Sequence, residues 1–121
     1  MNKKEKAAVG QKMGTVIISP AVLAMVARLT TLSVPGVAHM SSVGVDRLLR
    51  SSSAEGVKVQ VIDDTVVLDL YIVAAPDVNM LQLSRQIQSQ VTRAILEIVG
   101  MSVREVNVHI LDVEDMPATS A

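Results

Sequence analysis

Apolar positions follow helical spacing in two stretches of this chain. In the first stretch, Ser19 stands where a helix N-cap is expected, and Pro20 occupies the first helical position, where a missing N–H costs nothing. The helix ends at Val34-Pro35-Gly36, because proline disfavours α geometry in the residue before it. One side of this helix is predicted to be buried, and it comprises Val22, Met25, Val26, Leu29 and Leu32.

The second helical stretch begins at Asn79, an N-cap residue with Gln82 at the capping-box position. It ends at Gly100, a residue that readily takes the left-handed conformation that closes many helices. The predicted buried side of this helix comprises Leu83, Ile87, Val91, Ala94, Ile95 and Ile98. Each helix therefore needs another layer of structure to cover its apolar side.

Apolar and polar residues alternate in Val57–Ile62, and a second strand-like stretch, Thr65–Ala74, follows after two aspartates. A two-residue turn at Asp63-Asp64 would join the two strands as a hairpin. This register pairs Val57 with Leu70, Val59 with Leu68, Val61 with Val66 and, on the other face, Lys58 with Asp69. A slip of one residue would turn the apolar set to solvent, so the pattern specifies the register strongly.

Two further strands complete the predicted sheet. Thr15–Ile18 is β-branched and precedes the first helix, and Ser102–Val113 follows the second helix with Val106, Val108 and Ile110 pointing inward. The element order is then β-α-β-β-α-β. This order predicts an α+β fold of the split β-α-β type, a four-stranded sheet with two helices packed on one face.

The chain has the length of one domain, which we place at residues 14–113. The lysine-bearing residues 1–13 and residues 114–121 are predicted to be flexible tails. Val37–Met40 is predicted to be at most a brief extended piece, and the residues from 41 to 56, rich in Ser and Gly, a loop.

The composition offers few reactive groups. The 121 residues include no Cys, one Tyr and two His, and their net charge is −1. Without cysteine the chain has no disulfide, no thiolate nucleophile and no Cys-based zinc site. The charge gives no general attraction to nucleic acid or to anionic membranes, and no apolar run reaches the roughly 18 residues of a membrane span. We therefore predict a binding or scaffolding module and no enzyme, cofactor or metal site.

The candidate chemical groups have simpler structural explanations. His109 is expected on the sheet face away from the helices, His39 follows the Pro-Gly turn, and neither lies in a metal-ligand pattern. Asp63 and Asp64 suit a tight turn, because aspartate side chains bond to nearby backbone N–H groups. Tyr71 is the one aromatic side chain available for stacking a base, which disfavours binding of single-stranded RNA.

Five segments, in their order along the chain, resemble the alkaline shock protein family of Gram-positive bacteria, the envelope stress response proteins. They are GTVIISP at 14–20, VPGVA at 34–38, VVLDLYIV at 66–73, VNM at 78–80 and VREVNVHI at 103–110. The resemblance implies a cytoplasmic protein without known catalytic activity, often held near the membrane by a separate anchor protein. It also implies a role in cell-envelope homeostasis or, as for some members, in lipid-precursor metabolism.

Two surfaces are predicted to contact other proteins. One is the outward side of the first helix, with Ala21, Ala24, Ala27, Arg28 and Thr31. The other is the outer face of the sheet, with Val67, Tyr71, Val73, Val103 and Leu111. Our hypothesis is that one surface forms a homo-oligomer and another engages a membrane-bound anchor protein, without direct membrane insertion or a small-molecule substrate. Two alternatives stay open, a regulatory protein that binds an enzyme of lipid metabolism and a single-stranded RNA-binding domain.

Overall fold

A computed structural model describes residues 13–41 and 55–114 of the chain. Helix α1 comes first, followed by three strands, helix α2 with a short π-helical segment, and a last strand. Their bounds are Pro20–Leu32 for α1, Val37–Met40 for β1, Val57–Ile62 for β2, Thr65–Ala74 for β3, Met80–Ala94 for α2, Ile95–Val99 for the π-helical segment and Ser102–Val113 for β4. The predicted tails and the loop 41–56 lie mostly outside the described residues.

Strand β3 is the centre of the sheet. Strands β1 and β2 follow one another along one side of β3 and pair with it antiparallel, whereas β4 pairs with it in parallel on the other side. At the junction of β1 and β2, the Ser41 N–H donates to the Tyr71 carbonyl, and the Tyr71 N–H donates to the Gly56 carbonyl, each over 2.8 Å. The sheet is therefore mixed in direction and three strands wide at any point.

The α+β class, with two helices on one face of a four-stranded sheet, is confirmed, but one predicted strand is misplaced. Thr15–Ile18 forms no strand, and its Val16 and Ile17 side chains are almost fully exposed. The fourth strand is instead Val37–Met40, predicted as at most a brief extended piece. It occupies the place beside the C-terminal half of β3, where Val37 and Met40 are both buried. Strand pairing and burial stabilise Val37–Met40 as a strand, whereas Thr15–Ile18 is mostly exposed and pairs with none of the described strands. The observed order of helices and strands is α-β-β-β-α-β.

The predicted hairpin register is confirmed in all four pairs, including Lys58 opposite Asp69. Both residues of the turn have left-handed backbones, with φ of 49° at Asp63 and 67° at Asp64. Positive φ at both central residues is the signature of the type I′ turn, whose twist suits two antiparallel strands. The even-numbered residues of β3 from Val66 to Ala74 are fully buried and face the helices.

The predicted orientation of α1 is wrong for three of the five residues assigned to its buried side, whereas Val26 and Leu32 pack, partly buried, against the core. Its buried residues are Leu23, Ala24, Ala27 and Thr31, whereas Val22, Met25 and Leu29 are exposed. Small side chains at Ala24 and Ala27 let the helix backbone come close to its neighbours. The buried Thr31 hydroxyl costs little, because it donates to the Ala27 carbonyl over 2.7 Å.

Helix α2 faces the core as predicted through Leu83, Ile87, Val91 and Ile95. Ile98 was also predicted to be buried, but it is 70% exposed. The cause is the π-helical segment, whose wider turn brings Val99 toward the core and turns Ile98 away. Gly100 ends the segment with φ of 85°, the left-handed exit that the sequence predicted.

Strand β4 places Val106, Val108 and Ile110 inward as predicted, opposite the inward residues of β3. The register with β3 shifts twice, once around Arg104 and once around Leu111. Such a bulge inserts one extra residue and reverses the face on which the preceding residues lie. Val103 therefore pairs with Val66 and packs against the core, and its predicted outward position is wrong.

Candidate functional site

The outer side of α1 is apolar and exposed. Val22, Met25 and Leu29 stand at helical spacing on the side opposite Leu23 and Ala27, and they are 48%, 58% and 56% exposed. We call these three residues the α1 stripe. A helix that is apolar on all sides is normally covered on all sides, so the α1 stripe lacks the cover that its composition calls for.

The sequence around the α1 stripe carries little charge and no acid. Arg28 is the one charged residue of α1, and it is half-buried at the edge of the stripe. No Asp or Glu occurs anywhere from residue 6 to residue 45. Met13, Val16 and Ile17, which precede the helix, are also exposed. Six of the fourteen exposed large apolar side chains among the described residues therefore lie in one acid-free part of the sequence.

Charge is unevenly divided along the chain. Residues 1–45 contain five Lys or Arg and one Glu, a net charge of +4. Residues 46–121 contain six Lys or Arg and eleven Asp or Glu, a net charge of −5. The overall charge of −1 thus conceals a basic N-terminal third and an acidic remainder.

Charge is also unevenly divided between the two layers of the fold. The helices and the π-helical segment carry three cations and one anion, namely Arg28, Arg85, Arg93 and Glu97. Glu97 is already paired with Arg93, at 3.2 Å. Acidic residues dominate the strands and their connections, at Glu55, Asp63, Asp64, Asp69, Asp77, Glu105, Asp112 and Glu114. The helical layer is accordingly basic and the sheet layer acidic.

The predicted interaction residues fall into different environments. In α1, Ala24, Ala27 and Thr31 are buried within the chain, so they cannot contact a partner, and the predicted outward side of the helix is wrong for them. Ala21 is exposed and Arg28 half-buried. The apolar residues that do face solvent belong to the α1 stripe, which the sequence analysis assigned to the core.

The outer face of the sheet does not form the predicted apolar patch. Val67 and Val73 point outward from the central strand but are buried. Each is flanked by longer polar side chains in register, Val67 by Gln60 and Glu105, and Val73 by His39 and Asp112. Val103 turns inward. The remaining candidates on this face are Leu111, which is exposed, and Tyr71, which is half-buried.

Tyr71 takes part in a cluster that the sequence analysis did not identify. Its ring stacks on that of His109, with centroids 4.4 Å apart and planes 9° from parallel. The His109 Nε2 atom lies 3.0 Å from Asp69 Oδ1. Burial and the nearby Asp69 charge raise the pKa of the Tyr71 hydroxyl. Parallel pairing of β3 and β4 places Tyr71 beside His109, and this register was the missing information.

This outer face does not favour nucleic acid. The Tyr71 ring already stacks within the protein, and the face also carries the carboxylates of Asp69, Glu105 and Asp112. Carboxylates repel a phosphate backbone, which cations must neutralise for binding.

His39 lies in an open pocket of about 360 Å³ at the edge of the sheet. Its Nε2 atom is 3.1 Å from Glu114 Oε1, and its Nδ1 atom is 3.0 Å from the Met40 carbonyl. The bond to the Met40 carbonyl, followed by that to Glu114, raises the pKa of the His39 ring. Glu114 is 75 residues away from His39 along the chain, so the sequence alone does not indicate that the two side chains meet.

The described residues contain no group of three or more His, Asp or Glu placed to hold a metal ion. Among the same residues, no helix combines the length and the apolar character that crossing a membrane requires. The exposed surfaces, and chiefly the α1 stripe, are therefore the candidate functional sites.

Comparisons with known proteins give a relative, a solved structure and a family model, and the family model agrees with the resemblance of the five segments. The chain is 28% identical over 106 residues to the uncharacterized protein YqhY of Bacillus subtilis (strain 168), covering 84% of this chain and 78% of that protein. A solved structure, a zinc form of a MamM CTD variant, covers 82% of this chain with 15% identity and a TM-score of 0.42. The family model of the alkaline shock proteins (ASP23 family, cell envelope-related function) matches residues 8–115. The chain belongs to this alkaline shock protein family of cell envelope-related function.

Proposed function

We propose that this protein is a non-enzymatic interaction module of cell-envelope maintenance and that it docks through the α1 stripe. The observation that carries the proposal is the exposure of Val22, Met25 and Leu29 on a helix whose opposite side is fully buried. Burying an apolar side chain stabilises a contact by roughly 25 cal/mol per Å² removed from water. A fold that keeps three large apolar side chains in solvent on one helix gives up that stabilisation unless another body covers them.

We also propose that the protein is located at the inner face of the cell membrane. The cell envelope-related function of the family supports such a location. Recruitment by a membrane-bound anchor protein and formation of a homo-oligomer, the hypotheses of the sequence analysis, are two ways in which the α1 stripe could be covered. On the outer face of the sheet Leu111 is exposed and Tyr71 half-buried, whereas the α1 stripe groups three exposed apolar side chains.

The docking role is tested by the accessibility of position 25 in cells. The chain contains no cysteine, so Met25→Cys introduces a unique thiol on the α1 stripe. Ser102→Cys, at an exposed position where β4 begins, is the matched control on the other layer. Each variant is alkylated with a membrane-permeable maleimide in intact native host cells and as purified protein, and the rates are read by mass spectrometry.

If the α1 stripe is a docking surface, the thiol at position 25 reacts at least about tenfold more slowly in cells, which would reflect a cover that is lost on purification. The thiol at position 102 should react at the same rate in both settings. Equal reactivity of position 25 in cells and in solution would contradict the proposed function.

A further inference from the structure

The helical layer is basic and the sheet layer acidic, and this difference in charge indicates what kind of partner covers the α1 stripe. We propose that the stripe lies directly on an anionic lipid bilayer surface, with the helical layer toward the lipid and the sheet layer away from it. This inference rests on the docking role proposed above and names the occupant of that same surface.

The apolar part of such a contact is present. Val22, Met25 and Leu29 project from one side of α1, so all three could enter the interface together. Exposed Val16 and Ile17, immediately before the helix, add further apolar side chains. Peripheral docking of this kind needs no membrane-spanning helix.

The electrostatic part is also present. Lys3, Lys4, Lys6 and Lys12 precede the helix and account for most of the net charge of +4 in residues 1–45. Basic residues beside an apolar helix face are attracted to the negative surface of the bilayer, and the apolar contact alone or the lysines alone would bind only marginally. The lysines and the exposed apolar side chains both occur within the first 29 residues of the chain.

The orientation follows from the rest of the charge distribution. Arg28 lies at the edge of the stripe, and an arginine there can extend its guanidinium to the headgroups while its stem packs on apolar groups. Arg85 lies on an exposed part of α2, in the same helical layer. The acidic residues of the hairpin turn and of the Glu55–Glu114 edge belong to the sheet layer, which anionic lipid repels.

The charge pattern favours lipid over a second copy of this chain. Two copies that met through their α1 stripes would bring two basic N-terminal stretches of net +4 together. The surface from residue 13 to residue 41 has no Asp or Glu with which to pair those cations. Like charges brought together in a contact oppose it, whereas an anionic bilayer neutralises them.

The test is co-sedimentation of the full chain with vesicles. Vesicles of phosphatidylcholine alone are compared with vesicles that also contain phosphatidylglycerol, at low salt of about 0.1 M and at high salt of about 1 M. We expect binding to the anionic vesicles at low salt, little binding to the neutral vesicles, and loss of binding at high salt, because charges on exposed surfaces are screened.

Variants separate the two components of binding. The double variant Met25→Gln/Leu29→Gln keeps every charge and should lower the partition coefficient by about tenfold or more. Replacing Lys3, Lys4, Lys6 and Lys12 by Gln should also weaken binding, and it should flatten the dependence on salt. Leu111→Gln is the matched control, because it makes the same change at an exposed leucine of the sheet layer and should bind like the wild type.

Absence of binding to anionic vesicles would overturn the lipid assignment, as would equal losses for the stripe variant and Leu111→Gln. A lipid-free dimer that Met25→Gln/Leu29→Gln dissociates would assign the stripe to a second copy. If position 25 is covered in cells while vesicles do not bind, the docking function stands and the occupant is a protein. If position 25 is also accessible in cells, the proposed function fails together with this inference.

Discussion

Ala27 and Leu29 are two residues apart in α1, and they lie in opposite environments. Ala27 is fully buried in the core, whereas Leu29 is 56% exposed. The smaller side chain thus occupies the interior and the larger one the surface. This arrangement brings the helix close to its neighbours and leaves the α1 stripe available to another body.

Substitutions at these two positions should differ strongly in their effect on stability. Ala27→Leu inserts a larger side chain into a closely packed interface and should lower the free energy of unfolding by ~1–3 kcal/mol. Leu29→Ala removes an exposed side chain and should change the free energy of unfolding by less than ~0.5 kcal/mol. Urea unfolding of both variants measures the difference. A large loss for Leu29→Ala with a small loss for Ala27→Leu would mean that α1 presents its other side to the core.

The orientation of α1 was not predictable from periodicity alone, because its apolar residues satisfy helical spacing on two opposite sides. Positions 22, 25 and 29 fit one side, and positions 23, 24, 27 and 31 fit the other. The larger side chains at positions 22, 25 and 29 favour the first side as the buried one. Close packing decided otherwise, since alanine permits an approach that methionine and leucine would prevent.

Helix α2 and the hairpin were predictable because polar residues exclude the alternatives. Gln82, Arg85 and Gln86 mark the solvent side of α2, and the alternation in Val57–Ile62 permits one register with β3. The errors in Ile98 and Val103 have local causes, a π-helical turn and a bulge, which change the side-chain period without an obvious sequence signal.

Contacts between distant parts of the chain were not predictable from the sequence. The pairing of β1 with β3, the stacking of Tyr71 on His109 and the bond from His39 to Glu114 each depend on the order of strands in the sheet. Residue patterns report local geometry and burial, whereas strand order follows from how the whole chain packs. The α1 stripe was not predicted to be a surface, because large apolar residues at helical spacing are typical of the buried side of a helix.

Gly56 should be the least replaceable of the described glycines. Its backbone φ is +76°, and a Cβ there would lie 2.9 Å from both the Met40 Cβ atom and the Tyr71 carbonyl oxygen. Gly56→Ala therefore combines left-handed strain with a clash at the junction of β1 and β2. Gly100→Ala is the matched control, since its φ is +85° but no atom lies within 4 Å of the added Cβ.

Thermal unfolding should show a loss of roughly 1–2 kcal/mol for Gly100→Ala, from backbone strain alone, and a larger loss for Gly56→Ala. Similar losses in the two variants would show that the junction beside Tyr71 relaxes to admit a methyl group.

Two substitutions in the hairpin turn should raise the stability of the protein. Asp63 and Asp64 both have positive φ, and the type I′ turn that they form prefers Asn followed by Gly. The double variant Asp63→Asn/Asp64→Gly should raise the free energy of unfolding by about 0.5–1 kcal/mol, because each new residue adopts the left-handed conformation at lower cost. Calorimetric melting temperatures measure the gain. An unchanged or lower melting temperature would argue against a type I′ turn at this position.

The pair of His39 and Glu114 should make stability depend on pH. Both ring nitrogens of His39 lie within bonding distance of acceptors, and only the protonated ring can donate from both. The pKa of His39 in the folded protein is accordingly raised above its ordinary value of 6.5. The stabilisation is fully present below about pH 6.5, and it is lost as the pH rises through the folded pKa.

Replacing Glu114 by Gln should therefore reduce stability more at about pH 5.5 than at a pH well above the folded pKa of His39, where the ring has lost its proton. The loss should be small, because both side chains are near the surface. Glu105→Gln is the control, since its carboxylate accepts from Asn107 instead of a histidine. Titration of the His39 ring by NMR gives an independent measurement, with a lower pKa expected in Glu114→Gln. An identical His39 pKa in the wild type and in Glu114→Gln would show that the ion pair does not form in solution.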